Sequence, residues 1–94
     1  MKTVLQTEKE CFVCGTTYNL QDHHILFGTA NRKQSEKYGY KVWLCQEHHT
    51  GSRGVHFNKP LDLQLKKLAQ EHFEAHIGAR NEFIRVFGKN YLDD

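Results

Sequence analysis

The sequence predicts a small α+β domain assembled around one bound metal ion. Three observations carry that expectation: two ligand pairs at two-residue spacing, Cys11-Phe-Val-Cys14 and Cys45-Gln-Glu-His48; two short β-forming stretches between them; and two helical repeats towards the C-terminus, each closed by a glycine. A chain of 94 residues buries only about 60–65% of its unfolded surface, so the apolar core alone gives thin stability. A structural metal is a common supplement at this size. The hydrophobic content of 38%, with one Pro and seven Gly, is that of a globular domain rather than a disordered segment. No internal repeat or low-complexity run is visible.

Each element follows from local signals. Residues 1–10 are polar and read as a loose lead-in. An extended stretch around Tyr18–Leu20 precedes a strand over Asp22–Phe27, rich in β-formers towards its end. The basic segment from Gly28 to Gly39 holds a helical turn from Arg32 to Tyr38, with Gly39 as its C-terminal cap. Tyr40–Cys45 alternates large apolar residues as a second strand, with Trp43 expected in the core. A brief helix starts near Gln46 and is stopped by Gly51 and Gly54. Pro60 suits the first position of a helix, and Leu61, Leu65, Leu68, Ala69, Phe73 and Ile77 then repeat at helical spacing up to Gly78. A final short helix carries Phe83, Ile84 and Phe87 before Gly88. Together these helices form an amphipathic clamp over the metal-bearing half.

The N-terminal MKTVLQTEKECF lacks the apolar run of a signal peptide, and no stretch approaches the roughly 20 apolar residues of a membrane span. The expectation is a soluble, cytoplasmic protein. In that reducing setting the three cysteines are metal ligands rather than a disulfide framework. A net charge of +2 does not announce a polyanion partner. Arg32, Lys33, Lys37 and Lys41 nevertheless cluster, and Arg53 and Lys59 flank a histidine-containing loop, as a phosphate-contacting surface would require.

Cys11, Cys14, Cys45 and His48 make a Cys3His set, a closed tetrahedral shell for structural zinc. That cross-link brings His49 towards the strand carrying His23 and His24, with His56 seven residues further on past a glycine-bounded loop. A second metal held by imidazoles, with another imidazole beside it, is a layout for phosphodiester hydrolysis. Asp22 either replaces His23 as a ligand or caps a turn, and the turn is the simpler reading. His72 and His76, four apart, read as a solvated helix face.

The order Cys-x-x-Cys, HHI on a strand, then LC-x-x-HH resembles the HNH branch of the His-Me finger nucleases. HHILFGTANRKQSEKYG followed by GVHFN is similar to small phage proteins related to the RecA-dependent nuclease of recombination enhancement. The resemblance covers roughly residues 11–60, with a looser match in the helices from 61 to 94, within a single domain. It implies a zinc-anchored treble-clef ββα-metal core with C-terminal helices. It also implies a DNA endonuclease with His24 as general base and a catalytic Mg2+ or Mn2+ on His23, His49 and His56. Arg32, Lys33, Lys37, Lys41 and Arg53 would then hold the DNA backbone, and a recombinase filament such as RecA is an implied partner, in a bacterial or phage-infected cell. The family's usual orienting asparagine is replaced by Tyr40, so a backbone carbonyl, Asn31 or Asn58 would have to hold His24. The rival from another class is a catalytically silent zinc-bound module that binds nucleic acid or protein.

Overall fold

The two β-forming stretches pair with each other. In the computed structural model, which describes residues 3–92, β1 (Leu20–His24) and β2 (Lys41–Cys45) form a two-stranded antiparallel sheet. Leu20 lies opposite Cys45 and His24 opposite Lys41. α1 (Thr29–Tyr38) connects them and stops at Gly39, whose φ of 76° is the left-handed conformation that a side chain would strain. β2 runs directly into α2 (Gln46–His49). A 3-10 turn (Val55–Phe57), α3 (Lys59–His76) and α4 (Arg80–Phe87) follow.

One apolar cluster joins sheet and helices. Val42 and Leu44 of β2, Ile25 and Leu26 just past β1, and Val55 pack with Leu65, Ala69 and Phe73 of α3 and Phe83 and Phe87 of α4. Residues 65, 69 and 73 stand four apart, so they form one helical stripe. Burying each large apolar side chain contributes about 1.5–3 kcal/mol. The α+β architecture expected from the sequence is therefore present. Among the described residues no helix is long and apolar enough to cross a membrane.

Several boundaries differ from expectation for identifiable reasons. β1 ends at His24 rather than Phe27, because the register pairs His24 with Lys41 and the ladder ends there. Ile25 and Leu26 turn into the core instead, and the buried Ser35 hydroxyl fastens that bend by bonding both the amide (3.0 Å) and the carbonyl (2.7 Å) of Leu26. α1 starts at Thr29, three residues before the expected Arg32, with Gly28 as an N-cap that offers no side-chain signal. Trp43 is half-buried under the Lys9 ammonium rather than in the core, and Ile77 and Ile84 lie exposed. α3 begins as the sequence suggests: Pro60 sits in its first turn, and the Asn58 side chain accepts from the Leu61 amide at 3.1 Å.

Candidate metal centre

α2 is a single helical turn, and consecutive residues on it point about 100° apart. That turn presents His48 to one cluster and His49 to another.

The first cluster is Cys11, Cys14, Cys45 and His48, whose ligand atoms all lie within 4.8 Å of one another. Cys14 Sγ is 3.8 Å from Cys45 Sγ, while His48 Nδ1 stands 3.8 Å from Cys11 Sγ and 3.2 Å from Cys45 Sγ. Tetrahedral zinc with Zn–S bonds of about 2.3 Å separates its sulfurs by about 3.8 Å, so the donor set could hold structural zinc. The backbone builds the pocket. Phe12 N–H bonds the Trp43 carbonyl at 2.8 Å, which docks the Cys11–Cys14 turn on β2. Burial pushes the Cys11 thiol up, but hydrogen bonds from backbone at Cys45, Cys14 and Val13 outweigh it and bring the group down to about 6. A thiolate at neutral pH is what a metal requires. Cys45 moves the other way, raised by burial and by its neighbouring sulfurs.

His23, His49 and His56 form the second cluster, again with ligand atoms within 4.8 Å. Their ring centroids stand 5.1 Å (His23–His49), 5.6 Å (His23–His56) and 5.3 Å (His49–His56) apart. The loop between α2 and the 3-10 turn closes tightly: a Cβ on Gly54 would lie 2.5 Å from the His49 carbonyl oxygen, so only glycine lets His56 return beside His49. Gln21 Oε1 accepts from His49 Nδ1–H at 2.5 Å, which leaves His49 Nε2 with a lone pair. His23 is 2% exposed, and its Nε2 is buried without a hydrogen-bond partner. Burial first, then His49 and His56, hold its pKa down to about 3, so the ring is neutral. Three imidazoles, one orphaned, are a donor set that could hold a divalent ion.

A cleft of about 220 Å3 is lined by all three of these histidines together with Asp22, His24, Phe27 and Arg32. His23 and His24 thus reach one cleft although they are neighbours in β1. The His24 Nε2–H donates to Glu36 Oε1 at 3.1 Å. Glu36 also pairs with the Lys41 ammonium, which lies 3.4 Å from Asp22 Oδ2 on its other side. Lys41 first and His24 second hold the Glu36 carboxyl below its ordinary value. Asp22, His24 and Glu36 also lie within 4.8 Å of one another, with the Lys41 ammonium already serving as their cation.

Four sequence expectations are corrected here. Lys41 is not on the basic surface: it is 2% exposed and neutralised by Glu36 and Asp22. Arg32, Lys33 and Lys37 are exposed on α1, but Arg53 stands apart from the cleft, 3.6 Å from Glu47. Asp22 caps no turn; it sits within β1 opposite Trp43. His72 is half-buried and shares a 3.0 Å hydrogen bond with the Tyr40 hydroxyl, so only exposed His76 is the solvated residue expected. Neither asparagine considered for orienting His24 does so, and the side-chain partner of its Nε2 is Glu36. Asn31 bonds the Phe87 carbonyl, Asn58 caps α3, and Tyr40 is turned to His72. Glu36 was invisible as a partner because helix α1 brings it across 12 residues of chain; a carboxylate in the basic segment was the only available signal.

The fold and its donor sets define a small α+β protein with a Cys3His cluster able to take a metal. Comparison with known proteins finds no matching family model, no matching curated protein and no matching solved structure.

Proposed function

We propose that this chain is a metal-dependent DNA endonuclease of the His-Me finger type, with structural zinc on Cys11, Cys14, Cys45 and His48 in a treble-clef setting. The observation that carries the reading is the convergence of His23, His49, His56, His24 and Arg32 on one cleft, with His23 Nε2 buried and unpartnered. His23, His49 and His56 would hold the catalytic divalent ion. When bound, that ion supplies positive charge for the scissile phosphate and the departing 3′-oxygen.

The rest is chemistry of the chain's own groups. Glu36 accepts from Nε2–H of His24, so the neutral ring keeps its Nδ1 lone pair for a proton. Water attacks phosphorus, its proton passes to His24 Nδ1, and the bond to the 3′-oxygen breaks; that oxygen takes a proton from solvent, leaving a 5′-phosphate and a 3′-hydroxyl. Arg32 contacts the phosphate from the cleft wall, and Lys33 and Lys37 hold the neighbouring backbone without reading sequence. Three imidazoles and no carboxylate favour a first-row transition ion such as Mn2+ over Mg2+.

Nicking of supercoiled plasmid tests the reading. Wild type nicks with Mn2+, and His24→Ala slows nicking by roughly 10²–10⁴-fold with zinc content unchanged. Undiminished nicking by His24→Ala removes the base. Absence of nicking with every divalent ion favours the silent binding module, which the use of the Asn slot by Tyr40 supports. Added RecA filaments in the same assay test the implied partner.

A further inference from the structure

A second concave surface lies on the far side of the 3-10 turn that carries His56. It is an open groove of about 800 Å3 whose walls include Val13, Arg53, Phe57, Lys59, Pro60 and Leu61. Two features set it apart. Phe57 is 73% exposed, directly after His56, and Val13 opposite is 44% exposed. An aromatic ring left this open contributes little to the core and is accessible to a bound ligand. The groove also carries two guanidinium or ammonium groups and no carboxylate among its lining residues. Among the described residues Arg53 is paired with exposed Glu47 at 3.6 Å, an ion pair of the kind that phosphate displaces readily.

An apolar ring flanked by two cations, one of them loosely paired with Glu47, suits a polyanion that also carries flat apolar faces. Duplex DNA offers phosphates but keeps its bases stacked and paired. An unpaired strand offers both. The groove and the histidine cleft meet the same 3-10 turn at adjacent residues: His56 lines the cleft and Phe57 lines the groove.

We infer that this groove binds single-stranded DNA, with one unstacked base against Phe57 and the flanking phosphates on Arg53 and Lys59. The inference rests on the nuclease reading and deepens it: the substrate has an unpaired segment beside the cut, as a flap, gap or branch does. Phe57 is then the stacking surface, and Arg53, which the sequence grouped with the α1 cations, serves this groove instead.

Fluorescence anisotropy with a labelled oligothymidylate, without added divalent ion, tests it against a duplex of equal length. Phe57→Ala weakens oligothymidylate binding by about tenfold and leaves duplex binding unchanged. Arg53→Ala and Lys59→Ala each lower the slope of log affinity against log salt by about 0.7 on the single strand. Phe57 and both cations are surface groups, so unchanged circular dichroism and zinc content accompany each variant. Wild-type affinity in Phe57→Ala, an equal loss on duplex, or tighter binding of oligouridylate than of oligothymidylate each overturns the inference. The two readings fail separately. A protein that nicks plasmid but shows no Phe57 effect loses only the groove, whereas one that grips the strand through Phe57 and never nicks loses only the hydrolytic proposal.

Discussion

The sulfur cluster and the histidine cluster share α2, yet they depend on the fold in opposite ways. Four donors from two chain segments surround the first, and two residues separate its members within each segment. Such a site needs only two tight turns and one docking contact, and it holds those turns together once metal is bound. The second draws His23 from β1, His49 from α2 and His56 from the 3-10 turn, with Gln21 supporting His49 from β1 and Glu36 of α1 holding His24 beside them. It exists only after the sheet, α2 and the Gly54 loop are in place. With metal bound, the first cluster would organise the fold, whereas the second is organised by it.

Substitutions can break that contrast, and the largest effect belongs to the sulfur side. Cys45→Ser removes a buried donor. Structural zinc in small domains contributes about 10–16 kcal/mol of apparent binding energy, comparable with the whole 5–15 kcal/mol stability of a domain. Loss of cooperative thermal unfolding by circular dichroism is expected, as is loss of one bound zinc per chain; an unchanged melting curve would dissolve the distinction between the sites. His49→Ala should behave differently. It keeps the zinc and the folded spectrum but weakens binding of a second divalent ion by more than about 100-fold in calorimetric titration.

Support by Glu36 comes next in size. Glu36→Ala is expected to slow nicking by roughly 10–100-fold, while Glu36→Gln, which retains an acceptor oxygen for His24 Nε2–H, restores most of the rate. Equal rates in the two variants would show that Glu36 serves Lys41 alone. The smallest effect is a gradual one with pH. His23 is held down to about 3 by burial and its neighbouring imidazoles, against an ordinary value of 6.5. The unfolded chain therefore binds a proton that the folded chain refuses. Stability is lost as pH falls from 6.5 towards 3, and His49, also lowered by burial, adds in the same direction. Urea midpoints at pH 7 and pH 5 measure the slope, and His23→Leu should flatten it; a slope identical in that variant would assign the acid sensitivity to the sulfur site.

How much was legible in the residues follows the same division. The C-x-x-C and C-x-x-H pairs could be read directly because ligand spacing along a tight turn is local geometry. The helical stripe at Leu65, Ala69 and Phe73 and the glycine stop at Gly39 were equally plain, since helical period and φ preference belong to the chain itself. Lys41 was misread for the complementary reason. A lysine among basic neighbours looks solvated, and only the approach of Glu36 and Asp22 makes its burial tolerable.

Alone, the sequence determined the elements, the sulfur donors and the supply of imidazoles, because these depend on composition and on contacts within a few residues. Tertiary structure decided which histidines meet, that Glu36 rather than an asparagine holds His24, and that Phe57 lies open beside two cations. Those outcomes depend on distances between segments far apart in the chain. Such distances are set by the register of β1 on β2 and by the close return of the chain at Gly54.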